Sequence, residues 1–441
     1  MNLNREPRVL VIAHNAFSQT NNNGKTLSSF FSGWRSENLA QLYITDEEPD
    51  RSVCKRFFRI TDREILCAAV RRGTAPGKVL PPEGTQSAMP RTDASVYHGF
   101  FGRLVARRPS WMLVGRDLCW GSGAWKTPAL EAWIDEFSPE VVFMQCSAPA
   151  IYDIAFWVCD YCNIPLFLEI TDDYTSSKFS LDPFFWIYLR RMRRQMRRAI
   201  DRAEKTLVIG RKMEKEYAKR FGGAYAIAMN AVEIGSYVPP ASHDPIQIVY
   251  TGNLGLGRWK TIQALGNACQ TDPELKEHLQ LHVYSGTQLS SREYDRLARS
   301  GVCFHGKVSA QVVAEVQTAA DILLHVESFD AENRYVTRYS VSTKISEYLS
   351  RGRCLLAVGP ADVASIEYIR DERIGVVLSE RKEAAIRSCL LELVQNRELR
   401  LECGRRAYEQ ACSAHDIRSV QREISQMLAA ATGRAHVQKG E

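Results

Sequence analysis

The chain has 441 residues, of which 45% are hydrophobic and 10% aromatic, a composition that excludes wholesale disorder and can bury a large core. Lys and Arg number 57 against 51 Asp and Glu, and the resulting +6 is too mild and diffuse to argue for nucleic acid. At this length two domains are expected rather than one.

The N-terminal stretch "MNLNREPRVLVIAH" holds an apolar run of about five residues, and nowhere does a run of about 18 follow. A chain that stays in the cytoplasm is therefore expected. The 12 cysteines are scattered, which suits a reducing compartment. Cys159 and Cys162 form a lone C-x-x-C with no second pair for zinc, placed at the end of a helix, so they read as core thiols one turn apart.

In chain order, short continuous apolar runs predict strands over 8–14, 140–146, 164–170 and 205–210, with helical patterns between the later ones. This is an α/β unit. Residues 45–110 carry no clear pattern, and 71–95, rich in Pro, Gly, Ser and Thr, reads as a mobile insertion. Four prolines within 236–245 mark a linker. The alternation then restarts with strands over 246–253, 279–286, 302–308, 321–327, 354–359 and 374–379, a second doubly wound sheet. A helical tail covers roughly 396–430. The expected domains are thus 1–235, 246–400 and a tail of 401–441.

After the first strand comes "SQTNNNGKTLSS" (18–29), whose Gly24-Lys25-Thr26 matches the end of a phosphate-binding P-loop. The first glycine of that motif would fall at 19, where Gln19 stands, and no strand ends in a suitable Asp. The alternative places Gly24 and Lys25 on the loop between first strand and first helix, at the strand ends where α/β sheets bind ligands.

The second half is more explicit. "VYTGNLGLGRWKTI" (249–262) is a strand, a turn with Gly252, Asn253, Gly255 and Gly257, then Arg258 and Lys260 at a helix start, a pattern suited to a diphosphate or, failing that, a solvated basic turn. In "RYSVSTKISEYLSRGRCLLAVGP" (338–360), Ser342 and Thr343 are placed to cap a helix, Lys344 adds charge, and Glu347 offers two acceptor oxygens suited to ribose hydroxyls or is a plain surface residue.

On these stretches the chain resembles the GT-B glycosyltransferases, in particular the family 4 retaining enzymes that use nucleotide-sugars. The segment 204–237, with Gly210, Met213, Asn230 and Ala231-Val232-Glu233, is similar to the end of their N-terminal domain. The resemblance implies two Rossmann-like domains facing a central cleft, with a C-terminal helix packing back toward the N-terminal domain. It puts Arg258 and Lys260 on the donor diphosphate, Glu347 on the ribose, Thr343 and Lys344 on phosphate or sugar, and Gly24-Lys25 near the phosphates. It implies no metal, and no Asp-x-Asp motif occurs. Two departures stand out. The family's first glutamate, eight residues before Glu347, is Tyr339, with Glu327, Asp330 and Glu332 the nearest carboxylates. The His-Asp after the third predicted strand is Thr171-Asp172-Asp173, so Asp172, then Asp173, are the candidates for steadying acceptor or oxocarbenium charge, unless both merely cap a helix.

The implied function is transfer of a sugar from a nucleoside-diphosphate sugar to a glycan or lipid-linked acceptor, in surface polysaccharide assembly. A nucleotide-sugar 2-epimerase and a non-catalytic binding protein of the same fold are the alternatives. Finally, "WIYLRRMRRQMRRAIDRAEK" (186–205) places Arg190, Arg191, Arg193, Arg194, Arg197 and Arg198 on about half a helix. That face reads as a contact for anionic lipid, as a solvated face, or as an RNA surface, which the lack of interleaved aromatics disfavours.

Overall fold

The computed structural model describes residues 6–19, 22–70, 74–81, 109–145, 147–176, 180–240 and 242–438. It divides into two compact units. The first comprises Met1–Val208, Glu214–Ala228 and Gln421–Glu441, and the second Ile209–Met213 and Met229–Val420.

The first unit is built on β1 (Val9–Ala13), β2 (Leu39–Tyr43), β3 (Arg56–Arg59), β4 (Lys78–Val79), β5 (Val141–Gln145), β6 (Leu166–Ile170), β7 (Lys205–Val208) and β8 (Tyr225–Ile227), in the order β4-β3-β2-β1-β5-β6-β7-β8. All neighbours are parallel except β3 and β4. The apolar runs predict the central strands because a parallel strand covered on both faces needs no polar alternation. Every residue of β1 is fully buried. Part of the stretch expected to be irregular is regular: residues 56–59 extend the sheet as β3, and Asp62–Val70 is a helix. The strand was hidden because "RFFR" begins and ends on arginines. Most of the Pro/Gly-rich segment 71–95 lies outside the described residues. At the other end of the chain, Gln421 donates its side-chain amide to Ser29 O and Ser32 Oγ at 2.9 and 2.8 Å, tying the helix Ile417–Gln438 into this unit.

The second unit contains β9 (Ile246–Thr251), β10 (Leu279–Tyr284), β11 (Cys303–Gly306), β12 (Ile322–Val326), β13 (Cys354–Val358) and β14 (Val376–Leu378), all parallel, in the order β11-β10-β9-β12-β13-β14. Six apolar runs predict six strands here. In this doubly wound order the winding reverses between β9 and β12, so their C-terminal ends form the crevice where such sheets bind ligands. The core beneath is aliphatic, with Ile248, Val283, Leu324 and Leu356 almost wholly buried.

Candidate functional site

The C-terminal ends of β9 and β12 bring the two basic stretches of the second unit together. Lys344 opens the helix Lys344–Ser350 and stretches back across Gly252, which has φ +140°. Its backbone angle is what calls for glycine, and a Cβ there, 2.9 Å from Lys344 Cδ, would push the lysine stem aside. The Lys344 ammonium lies 4.7 Å from the centre of the Tyr250 ring and donates to its hydroxyl at 3.3 Å. Beneath it, Tyr348 OH donates to Thr251 O and accepts from Thr251 N, both at 3.0 Å, fixing the helix to the end of β9.

The neighbouring cations are paired. Arg258, first residue of the helix Arg258–Thr271, donates through Nη2 to Glu327 Oε1 and Oε2 at 3.3 and 3.2 Å. Lys260 Nζ donates to Asp330 Oδ2 at 2.6 Å. Glu327 follows β12 and is 2% exposed, and its Oε1 is 3.4 Å from Nε2 of the buried His325. Burial works to raise the Glu327 pKa, but His325, Arg258 and Lys344 together hold it below the ordinary carboxylate value. Lys344 has the opposite balance. Burial and the nearby Arg258 outweigh Glu327 and Glu347 and push its pKa down to about 8. Among the described residues it makes no salt bridge.

The glycine turn works differently from the expectation. Its amides are largely consumed within the protein: Gly252 N donates to Tyr284 O, Leu254 N to Thr287 Oγ1 and Gly255 N to Asn253 Oδ1. Asn253 is therefore a brace of the turn, and its carbonyl also accepts from Tyr250 OH at 2.6 Å. The expected capping by Ser342 and Thr343 is likewise corrected. Thr343 is the N-cap residue but is already helical, and its side chain makes no capping bond. The Ser342 N–H donates to Ser365 Oγ at 3.0 Å. The helix is pinned instead by Asn230, whose amide donates to Ser346 Oγ at 3.0 Å. Glu347 is partly exposed in its first turn. Tyr339, at the place of the family's first glutamate, stacks under the Arg338 guanidinium, 4.6 Å from its ring centre.

The remaining candidates belong to the first unit. Gly24 and Lys25 lie within the first turn of the helix Asn22–Phe31, not on the loop before it. A Cβ on Gly24 would fall 2.8 Å from Ser18 Cβ, so this glycine lets the β1 loop fold against the helix. Asp173 is a structural anchor. It accepts from Thr175 N and Oγ1, Ser176 Oγ, Tyr217 OH and Arg220 Nη1, the last at 3.0 Å. Burial alone would raise its pKa, yet Ser176, Arg220 and Thr175 bring it below the ordinary value. Its oxygens are thus committed to the protein, which corrects its reading as a catalytic group. Asp172, beside it, is partly exposed and accepts from Tyr174 OH at 3.3 Å.

Three groups carry no sequence signal that a motif search would find: His325, Tyr250 and Glu169. The last sits on β6, 1% exposed, where burial pushes its carboxyl up to about 8 although Gln145 donates to it at 2.9 Å. Only an ionisable residue inside an apolar strand run hints at it. Among the described residues no three His, Cys, Asp or Glu side chains converge as a metal-ligand set.

The two sheets have the fold of GT-B glycosyltransferase structures. HepE of Anabaena, solved in complex with UDP and glucose, superposes with a TM-score of 0.62 at 10% identity, covering 96% of this chain and all of that one. Sucrose-phosphate synthase from Thermosynechococcus elongatus gives 0.60 at 12% identity, covering 98% and 100%. The α,α-trehalose 6-phosphate synthase from Burkholderia multivorans gives 0.59 at 9% identity, covering 98% and 99%. Residues 267–426 match a family model described as glycosyl transferase-like. No curated protein matches the chain in sequence.

Proposed function

We propose that this chain is a glycosyltransferase that takes a sugar from a nucleoside-diphosphate sugar and passes it, with retention, to a glycan or lipid-linked acceptor. Assembly of a surface polysaccharide on the cytoplasmic side of a membrane is the setting this reading implies. The observation that carries it is the convergence of Lys344, Arg258 and Lys260 at the ends of β9 and β12. The match of residues 267–426 to a glycosyl transferase-like model supports it, as do neighbours of the same fold, one of them bound to UDP and glucose.

In this reading the departing nucleoside diphosphate gains charge as the glycosidic bond breaks, and cations at the strand ends stabilise it more than they stabilise the intact donor. Lys344 is the primary anchor, since it meets the diphosphate without first giving up a carboxylate. Arg258 and Lys260 are shared between Glu327 or Asp330 and the phosphates. Glu347 accepts from the ribose hydroxyls, and Asp172 is the first unit's candidate for steadying acceptor or oxocarbenium charge.

Incubation with a panel of nucleotide-sugars, followed by detection of released nucleoside diphosphate and of transferred sugar, tests this reading. Turnover with at least one donor is expected. Tight nucleotide binding with no turnover on any donor would replace it with the non-catalytic alternative, which the committed Asp173 and the Tyr339 departure favour.

A further inference from the structure

His325 is the fourth residue of β12 and 1% exposed, yet neither of its ring nitrogens makes a hydrogen bond among the described residues. An imidazole buried without a partner disfavours the fold, and an apolar residue would suit the strand better. What stands beside it gives the reason. Its Nε2 lies 3.4 Å from Glu327 Oε1, too poorly aligned for a hydrogen bond but near enough for an ion pair once the ring is charged.

The charged groups that act on the ring are Glu327 just past the end of its own strand, Lys344 on the helix Lys344–Ser350 and Arg258 on the helix Arg258–Thr271. Opposite it on β13 is Ala357, which brings no charge. The phenols of Tyr250 on β9 and of Tyr348 stay neutral, because burial raises both. Burial holds the imidazole below its ordinary pKa against the pull of Glu327, and Lys344 and Arg258 act in the same direction as burial. While Arg258 stays on Glu327, the ring is therefore neutral at pH 7.

A diphosphate at the strand ends upsets that balance. Arg258 holds both oxygens of Glu327 through a single nitrogen, Nη2. When its charge turns to the phosphates, Glu327 is left buried with less compensation, which is costly, and the phosphates add negative charge of their own. Both changes favour the charged imidazole. One proton from solvent completes the step, and no other covalent bond is made or broken.

On the transferase reading above, we propose that His325 is a positioning residue that takes up a proton as the nucleoside diphosphate binds, keeping Glu327 neutralised while Arg258 serves the phosphates. When the spent diphosphate leaves, Arg258 returns to Glu327 and the proton goes back to solvent.

The test is titration calorimetry of the full chain at pH 6, just below the ordinary histidine value of about 6.5 and well below the range in which Lys344 loses its proton. The probes are UDP, GDP, ADP and CDP, in MES, PIPES and bis-Tris buffers. Their ionisation enthalpies differ, so the heats count the protons exchanged per nucleotide bound. The wild type should take up about half a proton more than His325→Leu. Ionisation of the nucleotide is common to both proteins and cancels. Glu327→Gln keeps the side-chain shape, removes the charge that calls for the proton, and should match His325→Leu while still binding nucleotide. It serves alone if the leucine variant fails to fold. A histidine that merely fills space gives equal proton counts in wild type and variants, and that result overturns the proposal while leaving the transferase reading in place. If none of the four nucleotides binds, the transferase reading fails and this inference falls with it.

Discussion

The Arg258 guanidinium reaches both oxygens of Glu327, at 3.3 and 3.2 Å, in a pocket where the carboxylate is 2% exposed. A buried pair of this kind adds little over an apolar core, but losing one partner strands the other charge. Glu327→Ala is therefore expected to destabilise the second unit by about 3–5 kcal/mol, read from the urea midpoint. Because the folded pKa lies below the unfolded one, the carboxylate contributes its stability above the unfolded value and loses it as pH falls through the folded value. The wild type should lose that part of its stability in acid, and the Ala variant should show a flatter acid limb in urea titrations at successive pH values.

Lys344 provides a signature at the other end of the scale. With its pKa pushed down to about 8, the ammonium loses its proton where an ordinary lysine keeps it. Calorimetric affinity for a nucleoside diphosphate should fall as pH rises from 7 through about 8 to 9.5, and Lys344→Met should remove that dependence. The same substitution keeps the stem over Gly252 and deletes a charge that desolvation disfavours. It should raise the thermal stability by about 1 kcal/mol while weakening the nucleotide. A variant that binds as tightly as wild type at pH 7 would take Lys344 out of the site.

Glu347 separates the ribose role from a surface role. Glu347→Ala should weaken nucleoside diphosphate binding by about 1.5–3 kcal/mol, the range for hydrogen bonds to a charged group, with inorganic pyrophosphate binding unaffected. Equal losses for both ligands would assign the effect to the phosphate region instead.

The adjacent aspartates should behave in opposite ways. Asp173→Asn weakens an acceptor that serves Thr175, Ser176, Tyr217 and Arg220, so the first unit should lose about 2–4 kcal/mol. Asp172→Asn should leave the denaturation curve in place and lower the turnover number. A stable Asp173→Asn protein would return that residue to the chemistry.

The strand skeleton was legible wherever burial on both faces makes a strand uniformly apolar, as in "VLVIA" and "ILLHV". It was not legible for β2, where Gln41 interrupts the run, for the short β4 and β8, for β3, whose terminal arginines break the run, or for the helical placement of Gly24, which obeys a packing need rather than a propensity. At the site, residue types predicted the cations but not their partners. Glu327 and Asp330 are far from Arg258 and Lys260 in the chain and meet them only because β12 lies beside β9. Asp173 misled for the same reason. Its role depends on Tyr217 and Arg220, more than 40 residues downstream, which no local pattern announces.

The bond from Gln421 to Ser29 spans 392 positions of the chain. As the ribosome makes this protein, the first unit must wait with one side uncovered while the whole second unit is synthesised. Its last helix arrives only once translation has passed residue 421. A domain left open in this way during synthesis is the kind of species that chaperones shield, and a premature stop before 421 is expected to harm the early half of the protein as well as the late one.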